Sequence, residues 1–97
     1  MIDAIKAQLE QRLKHAPPLG YNVTLDFGDD GVLSITKDNI VQDEKIEDAD
    51  TTLALSPETM NKILAGASDP NMAVLTGKMK VSGKIGVAMK LASYLEK

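Results

Sequence analysis

One stretch in the first half of the chain limits what the sequence can fold into more than any other. Residues 21–27 alternate apolar and polar side chains without a break, which is the period-two pattern of a strand with one buried face. The Gly-Asp-Asp-Gly sequence at residues 28–31 accommodates the positive φ angles of a tight turn, and residues 32–37 can return as a second strand. The stretch predicts a β-hairpin, so the fold must contain a sheet.

Helical and extended patterns lie on both sides of this hairpin. The apolar residues of the first segment fall on one helical stripe, and Pro17 is expected to end that helix. The stripe consists of Ile2, Ile5, Leu9 and Leu13. After the hairpin, residues 40–46 are a plausible third strand whose charges suit a sheet edge, and residues 51–55 are a fourth.

Two pairs of a capping residue and a proline predict short helices in the second half. Ser56 and Asp69 are N-capping residue types, and each precedes a proline, which suits the first position of a helix. Gly66 is expected to end the first of these helices. Between Gly77 and Gly83, apolar and polar residues alternate again over residues 78–82, which predicts one more short strand. This order of elements favours an α+β fold over a regular alternation of strands and helices.

The last predicted helix starts at residue 85 and is too apolar for a helix that lies on a surface. Its narrow polar stripe consists of Gly86, Lys90, Ser93 and Lys97. Apolar side chains cover most of the remaining surface. We therefore expect burial on more than one side, with the helix sandwiched within the fold, closing over a cavity or docking on another chain.

Composition and charge argue against several classes of function. Hydrophobic residues make up 43% of the 97 residues, which suits one compact domain over residues 1–97. The formal charge of −3 argues against a nucleic-acid partner. The chain has no cysteine, which removes disulfides and thiolate chemistry and agrees with a cytoplasmic location.

No residue pattern indicates catalysis or metal binding. His15 is the only histidine, and it is expected to be solvated near the end of the first helix. Residues 77–84 differ from a phosphate-binding loop, because Ile85 stands where Ser or Thr would hold magnesium. Residues 26–37 differ from a calcium-binding loop, because Lys37 replaces the final glutamate. We therefore expect no catalytic residue, no metal and no cofactor.

The second half of the chain resembles the sterol carrier protein type-2 domain in the order and spacing of several short pieces. These pieces are Ala-Asp-Thr-Thr-Leu-Ala-Leu-Ser at residues 49–56, Ala65-Gly66, Asp69-Pro70, Ala73, Leu-Thr-Gly-Lys-Met-Lys-Val-Ser-Gly at residues 75–83, and Ala-Met-Lys-Leu at residues 88–91. The first half agrees with the family in its pattern of helix and hairpin. Lys84 departs from the family pattern, in which an acidic or amide residue more often precedes the last helix.

The resemblance implies a five-stranded, mostly antiparallel sheet that is covered on one face by helices and encloses an apolar tunnel. It also implies a ligand of the fatty acid, fatty acyl-CoA, phospholipid or sterol class. The side chains expected to bind this lipid are Phe27, Ile35, Leu53, Leu55, Met60, Leu64, Met72, Leu75, Met79, Val81, Met89, Leu91 and Leu95. Flexible methionines suit a cavity that accepts tails of several shapes, although each could equally be core filler.

Two lysines are candidates for binding the headgroup of a ligand. Lys84 lacks a capping oxygen and lies at the start of the last helix, where free backbone amides attract a carboxylate or a phosphate. Lys78 or Lys80 is expected to lie near it. The alternative is that both lysines simply solvate an edge strand and a helix end.

We therefore predict a lipid-binding or lipid-transfer protein without catalytic activity. We expect a monomer or weak dimer that makes at most transient contact with a membrane. One alternative is a small interaction or dimerisation module that uses the apolar last helix. The other is an accessory domain for a lipid or quinone pathway enzyme. A monomer that carries extractable lipid would favour the first function, and a ligand-free dimer would favour the interaction module.

Overall fold

The computed structural model describes residues 2–95 and contains, within that range, four α-helices and five strands. The helices are α1 (Ile2–Leu13), α2 (Pro57–Leu64), α3 (Pro70–Leu75) and α4 (Ile85–Leu95). The strands are β1 (Val23–Asp26), β2 (Val32–Ile35), β3 (Val41–Gln42), β4 (Thr51–Leu55) and β5 (Met79–Gly83). A single turn of 3-10 helix, Gly28–Asp30, joins β1 to β2. The predicted α+β order of elements is confirmed.

The strands form one mixed sheet in the order β3-β2-β1-β4-β5. Strands β1 and β4 run parallel, and the other three neighbouring pairs are antiparallel. The parallel pair is fixed at its start by Asp50, whose amide donates to the carbonyl of Asn22 and whose carboxylate accepts from the Asn22 amide. The predicted five-stranded, mostly antiparallel sheet is therefore confirmed.

Alternation along the strands gives the sheet one strongly apolar face. The cross-strand register aligns Leu33, Leu25, Leu53 and Val81 in one row. The first three of these side chains are buried, and Val81 is packed against the core. Leu53 also lines a space bounded by α2 and α4, so this row faces the helices. The hydrophobic core lies between this face and the helical layer.

Both predicted capping residues begin their helices as expected. The hydroxyl of Ser56 accepts a hydrogen bond from the amide of Thr59 at 3.1 Å, and the carboxylate of Asp69 accepts one from the amide of Asn71 at 2.9 Å. Each cap is followed by the proline at the first helical position. These caps satisfy amides that the helix itself leaves unpaired.

The third strand is shorter than predicted. It covers two residues instead of residues 40–46. As an edge strand it pairs with β2 only, and the charged residues that follow are solvent-exposed. Asp43 instead binds Lys6 of α1 at 3.0 Å, and this hydrogen bond raises the pKa of Lys6. The charged segment that follows β3 is therefore not part of the strand. Through the ion pair of Asp43 with Lys6 it connects the edge of the sheet to α1.

Helix α4 is buried along one side and not over its whole circumference. Its buried residues are Val87, Ala88, Leu91 and Leu95. Ile85 begins the helix with 58% of its surface exposed, so the expected burial on several sides does not extend to the first turn. Lys97, which the sequence places in the polar stripe, lies outside the described residues.

Arg12, the single arginine of the sequence, joins the ends of two other helices to α1. Its guanidinium donates one hydrogen bond to the carbonyl oxygen of Leu64 in α2 and one to that of Leu95 in α4. Carbonyl groups in the last turn of a helix have no partner within the helix and carry partial negative charge. One half-buried cation therefore fastens α1, α2 and α4 together at their C-terminal ends.

We expect Arg12→Ala to lower the free energy of unfolding by about 2–4 kcal/mol, because two charge-assisted hydrogen bonds are lost and two helix ends are left unpaired. Lys14→Ala is the matched control, since Lys14 is exposed one residue beyond α1 and should change stability by less than about 0.5 kcal/mol. Urea unfolding measures both. Equal effects of the two substitutions would show that Arg12 does not fasten the helices.

Gly83 is required where β5 meets α4. Its φ is +103°, and a Cβ atom built there would lie 2.5 Å from the carbonyl oxygen of Asp50. Gly77 also has a positive φ, +77°, but a Cβ there meets no atom within 4 Å. A side chain at position 83 would therefore meet both an unfavourable backbone conformation and a steric clash, whereas one at position 77 would meet the unfavourable conformation alone.

Gly77→Ala should cost about 1–2 kcal/mol of stability, the usual penalty for a side chain in the left-handed region. Gly83→Ala should cost at least about 1 kcal/mol more, because β5 must also move away from Asp50. Thermal and urea unfolding of the two variants provide the comparison. A Gly83→Ala protein as stable as Gly77→Ala would contradict the close approach at Asp50.

Candidate functional site

An apolar crevice lies between the sheet and helices α2 and α4. Strands β4 and β5 form its floor, α2 and α4 form its walls, and the first residue of α3 completes it. Its lining residues are Leu53, Met60, Ile63, Pro70, Met79, Ala88, Leu91, Ala92 and Leu95. Every one of these side chains is apolar. The crevice therefore offers contact area to a hydrocarbon and no side-chain group that could select an anion, a cation or a hydrogen-bonding ligand.

The periodicity of each element explains why these residues converge. On α2, Met60 and Ile63 are three residues apart and share one side of the helix. On α4, the four lining residues follow the spacing i, i+3, i+4 and i+7, which defines one continuous stripe. Leu53 and Met79 are contributed by adjacent strands and point to the helical face of the sheet. The crevice is thus the meeting line of three apolar surfaces.

The crevice is nearly closed in this structure. Its cavity volume is about 10 Å³, which is roughly the space that one water molecule needs. Pockets that hold small organic ligands usually measure about 300–1,000 Å³. Two of the lining residues, Met60 and Met79, have flexible side chains with three rotatable bonds each. A hydrocarbon chain would enter only if these side chains rotate and the helices separate.

The structure brings together part of the predicted lipid-binding set. Those that line the crevice are Leu53, Met60, Met79, Leu91 and Leu95. Those that are buried elsewhere in the same core are Phe27, Ile35, Leu55 and Leu64. Val81 and Met89 are partly buried and packed against the core. The predicted residues thus divide between the crevice, the surrounding core and, for the remaining two, the surface.

Met72 and Leu75 lie outside the crevice. They are 54% and 78% exposed, respectively. Helix α3 has only six residues, and its buried residues are Pro70 and Ala73, which are three apart and share one side. Met72 and Leu75, also three apart, occupy a different side. The apolar character of α3 therefore does not mean that all its apolar side chains face inward.

Four lining residues were not anticipated from the sequence. They are Ile63, Pro70, Ala88 and Ala92. Small residues four apart on an apolar helix, such as Ala88 and Ala92, indicate a groove. Ile63 follows Met60 at helical spacing and therefore lies on the same side of α2. The sequence thus contains a signal for three of these four lining residues. Pro70 was interpreted as a helix start, and nothing in its local sequence indicates that it also forms part of a cavity wall.

The two candidate headgroup lysines are far apart. Lys84 directs its ammonium toward Asp50, at 3.8 Å from a carboxylate oxygen, and toward the ring of Tyr21, at 5.7 Å from the centroid. Lys78 precedes β5 and Lys84 follows it, so the strand separates them by about 20 Å at roughly 3.3 Å per residue. The expectation that Lys78 lies near Lys84 is therefore wrong. Lys78 is the neighbour of Met79, which lines the crevice.

Residues 2–95 include neither a metal-binding cluster nor a helix that could span a membrane. No group of three or more His, Cys, Asp or Glu residues in that range is arranged to hold a metal ion. His15 is exposed and lies apart from the crevice lining. None of the described helices has the length and apolarity needed to cross a membrane.

Comparison with known proteins relates this geometry to two insect structures of the same fold. Sterol carrier protein 2 like 2 of Aedes aegypti superposes with a TM-score of 0.82 and 21% identity, over 95% of this chain and 94% of that one. Sterol carrier protein 2 of Aedes aegypti, solved as a complex with the C16 fatty acid palmitate, superposes with a TM-score of 0.78 and 20% identity, over 96% and 92% of the two chains. These similarities establish the fold.

Sequence comparison places the chain in a family. Hydroxysteroid dehydrogenase-like protein 2 of Bos taurus is 27% identical over 95 residues, which are 94% of this chain and 23% of that protein. The chain thus spans about a quarter of the length of this relative. The sequence profile of the SCP-2 sterol transfer family matches residues 1–96. This match covers nearly the whole chain, and the protein is a member of the SCP-2 sterol transfer family.

Proposed function

We propose that this protein binds the hydrocarbon part of a lipid in the crevice between its sheet and helices α2 and α4, and carries or presents that lipid without catalysis. The observation that carries the proposal is the convergence of nine apolar side chains, from two strands and three helices, on one narrow space. Among these lining side chains there is no charged or hydrogen-bonding group. Such walls favour an alkyl chain over any polar substrate.

The energetics support binding despite the closed crevice. Each methylene group that leaves water contributes about 0.8 kcal/mol, so a long acyl tail offers on the order of 10 kcal/mol before the costs of ordering are subtracted. Part of this energy is consumed in separating α2 from α4 and in rotating Met60 and Met79. A flexible tail can follow the irregular space that these movements create. The tunnel predicted from the sequence is then the ligand-bound form of this crevice.

Fatty acid is the first ligand to test, with fatty acyl-CoA, phospholipid and sterol as the other candidates. The palmitate complex of the related mosquito protein supports this order. An unbranched chain also needs less separation of the two helices than a rigid ring system does. We further propose that the protein acts in the cytoplasm as a monomer or weak dimer.

A second candidate function is presentation of the ligand to an enzyme. In the bovine relative, the segment that matches this chain makes up 23% of a dehydrogenase-like protein. A lipid-binding domain attached to or associated with a catalytic one would hold a substrate by its tail and expose its reactive end. Capture of a bound lipid together with an enzyme after purification under native conditions would favour this function over free transport.

A cavity-filling variant tests the crevice directly. Ala92→Phe places a ring in the crevice lining and should weaken palmitate binding at least about tenfold. A tenfold loss of affinity corresponds to only ~1.4 kcal/mol, which the tail loses when about two fewer of its methylene groups are buried. Ser93→Phe, on the exposed side of the same helix, is the matched control and should bind palmitate normally. Titration calorimetry measures affinity, and thermal unfolding checks that both variants fold. Normal binding by Ala92→Phe would exclude the crevice as the site.

The lysine that faces the headgroup can be identified with a charged and a neutral ligand. The crevice lining includes Met79 and the second half of α4, so it lies nearer Lys78 than Lys84, and Lys84 is already paired with Asp50. Lys78→Gln should therefore weaken binding of palmitate severalfold and leave binding of the neutral alcohol hexadecanol unchanged. Lys84→Gln should affect neither ligand. A selective loss in Lys84→Gln would reverse the assignment.

A further inference from the structure

We propose that the outer edge of strand β5 binds an extended, acidic segment of a partner protein as an additional strand of the sheet. Among the described strands, β5 comes last in the order β3-β2-β1-β4-β5, so it has a neighbour on one side only. The proposal assigns a protein contact to this edge. It goes beyond lipid binding and does not depend on it.

The hydrogen bonds of β5 show which of its backbone groups point outward. The amide of Lys84 donates to the carbonyl of Asp50 at 3.2 Å, in continuation of the antiparallel register between β4 and β5. Because bonded and non-bonded positions alternate in an antiparallel pair, the backbone groups of residues 80 and 82 also face β4. The hydroxyl of Thr51 in β4 donates to the carbonyl of residue 82 at 2.9 Å, which agrees with this assignment. The outward-facing positions are Met79, Val81 and Gly83.

These outward-facing groups form an unpaired edge. Each of the three residues presents one amide and one carbonyl group, and none of these groups has a backbone partner within residues 2–95. Such a row is a template for pairing with another extended chain. The opposite edge offers much less, since β3 has two residues and is followed by Asp43, which binds Lys6.

The β5 edge is also accessible to another chain. Lys80 and Gly83 are exposed, and Val81 is half-buried. Exposed apolar side chains lie on both sides of the strand in the sequence, with Leu75 78% exposed before it and Ile85 58% exposed after it. The side chains of an added strand would alternate between the two faces of the sheet. Apolar residues therefore suit its helical face, and residues on its other face would lie beside Lys80.

The charge of this edge favours an acidic partner. Residues 70–95 contain four lysines and no acidic residue. Lys78 and Lys80 form no ion pair with any residue between 2 and 95, whereas Lys84 pairs with Asp50 at 3.8 Å. Opposite charges on neighbouring strands stabilise their pairing. An added strand with carboxylates on the face that carries Lys80 would gain such pairs.

The nearest acids leave these two lysines available. Asp26 lines the same surface depression as Lys80, and Glu58 lines the same depression as Lys78. Neither carboxylate forms an ion pair with the lysine beside it, and Glu58 pairs with Lys62 at 3.3 Å instead. Both ammonium groups can therefore bind a carboxylate from another molecule.

The same lysines disfavour a second copy of this chain as the occupant. Pairing of two β5 strands would bring the lysines of both copies to one edge, and like charges on neighbouring strands are destabilising. Lysines on edge strands commonly prevent such self-pairing. An acidic strand meets the opposite condition, so the edge discriminates between the two occupants by charge.

A synthetic peptide tests the proposal. The probe is a fluorescent, end-capped peptide in which glutamate and valine alternate, and its control has lysine in place of glutamate. We expect the acidic peptide to bind at least about tenfold more tightly by fluorescence anisotropy, with this preference decreasing at high salt. On binding, the amides of Met79, Val81 and Gly83 should become protected from hydrogen exchange, because they then donate to the peptide backbone.

Two variants separate backbone pairing from charge. Val81→Pro removes the central outward amide, and since that amide does not face β4, the hydrogen bonds within the sheet remain. This variant should bind the acidic peptide at least about tenfold more weakly. Val81→Thr is the conservative counterpart, which keeps the amide and should restore binding. Lys80→Glu should shift the preference toward the basic peptide.

Three results would overturn the proposal. The first is equal affinity of the wild-type protein for the two peptides. The second is unchanged binding by Val81→Pro, with thermal unfolding showing the variant to be folded. If this variant does not fold, Lys80→Glu decides, and an unaltered preference for the acidic peptide contradicts the proposal. The third is a dimer, detected by analytical ultracentrifugation, in a protein that binds neither peptide, with slow exchange of the β5 amides, because the edge would then pair with a second copy.

Discussion

The contact between Arg12 and the carbonyl oxygens of Leu64 and Leu95 holds the C-terminal ends of α2 and α4 beside α1. Three helix ends with partial negative charge meet at this point, and each would repel the others without a cation between them. Separating α2 from α4 here breaks charge-assisted hydrogen bonds and exposes unpaired carbonyl groups. Separation is therefore cheapest away from Arg12. The side bounded by α3 and the start of β5 meets that condition, since α3 has six residues and contributes a single one to the crevice lining.

The register of the sheet positions the floor of the crevice. The parallel pairing of β1 with β4 places Leu53 beside Leu25, at the centre of the apolar face, and the antiparallel pairing with β5 adds Met79 opposite Leu55. A slip of one residue in either pairing would turn these side chains to the other face and destroy the floor of the crevice. Gly83 and the bonds of Asp50 hold the register at the point where β4 begins and β5 ends. The strand register is therefore as much a part of the site as its lining residues.

Local sequence patterns predicted the parts of this structure that local interactions determine. The hairpin, the Ser56 and Asp69 caps and the strand at Met79 were found because their signals lie within a few neighbouring residues. Contacts between distant residues left no such signal. Arg12 binds Leu95 across 83 positions of the chain, and the pattern of α1 shows only a polar residue on an amphipathic helix. For the same reason, the sequence could not show that Met72 faces solvent while Met60 and Met79 face the crevice.

A lining made only of apolar side chains has a consequence for selectivity. Such walls distinguish ligands by length and shape, because no polar group rewards one headgroup over another. Under the proposed function, discrimination between headgroups must then come from residues outside the crevice lining. Lys78 is the neighbour of Met79, which lines the crevice, at the end of β5 opposite Lys84 and its partner Asp50. Under the proposed function, the tail of the lipid therefore provides most of the binding energy, and any preference among headgroups comes from residues outside the crevice lining.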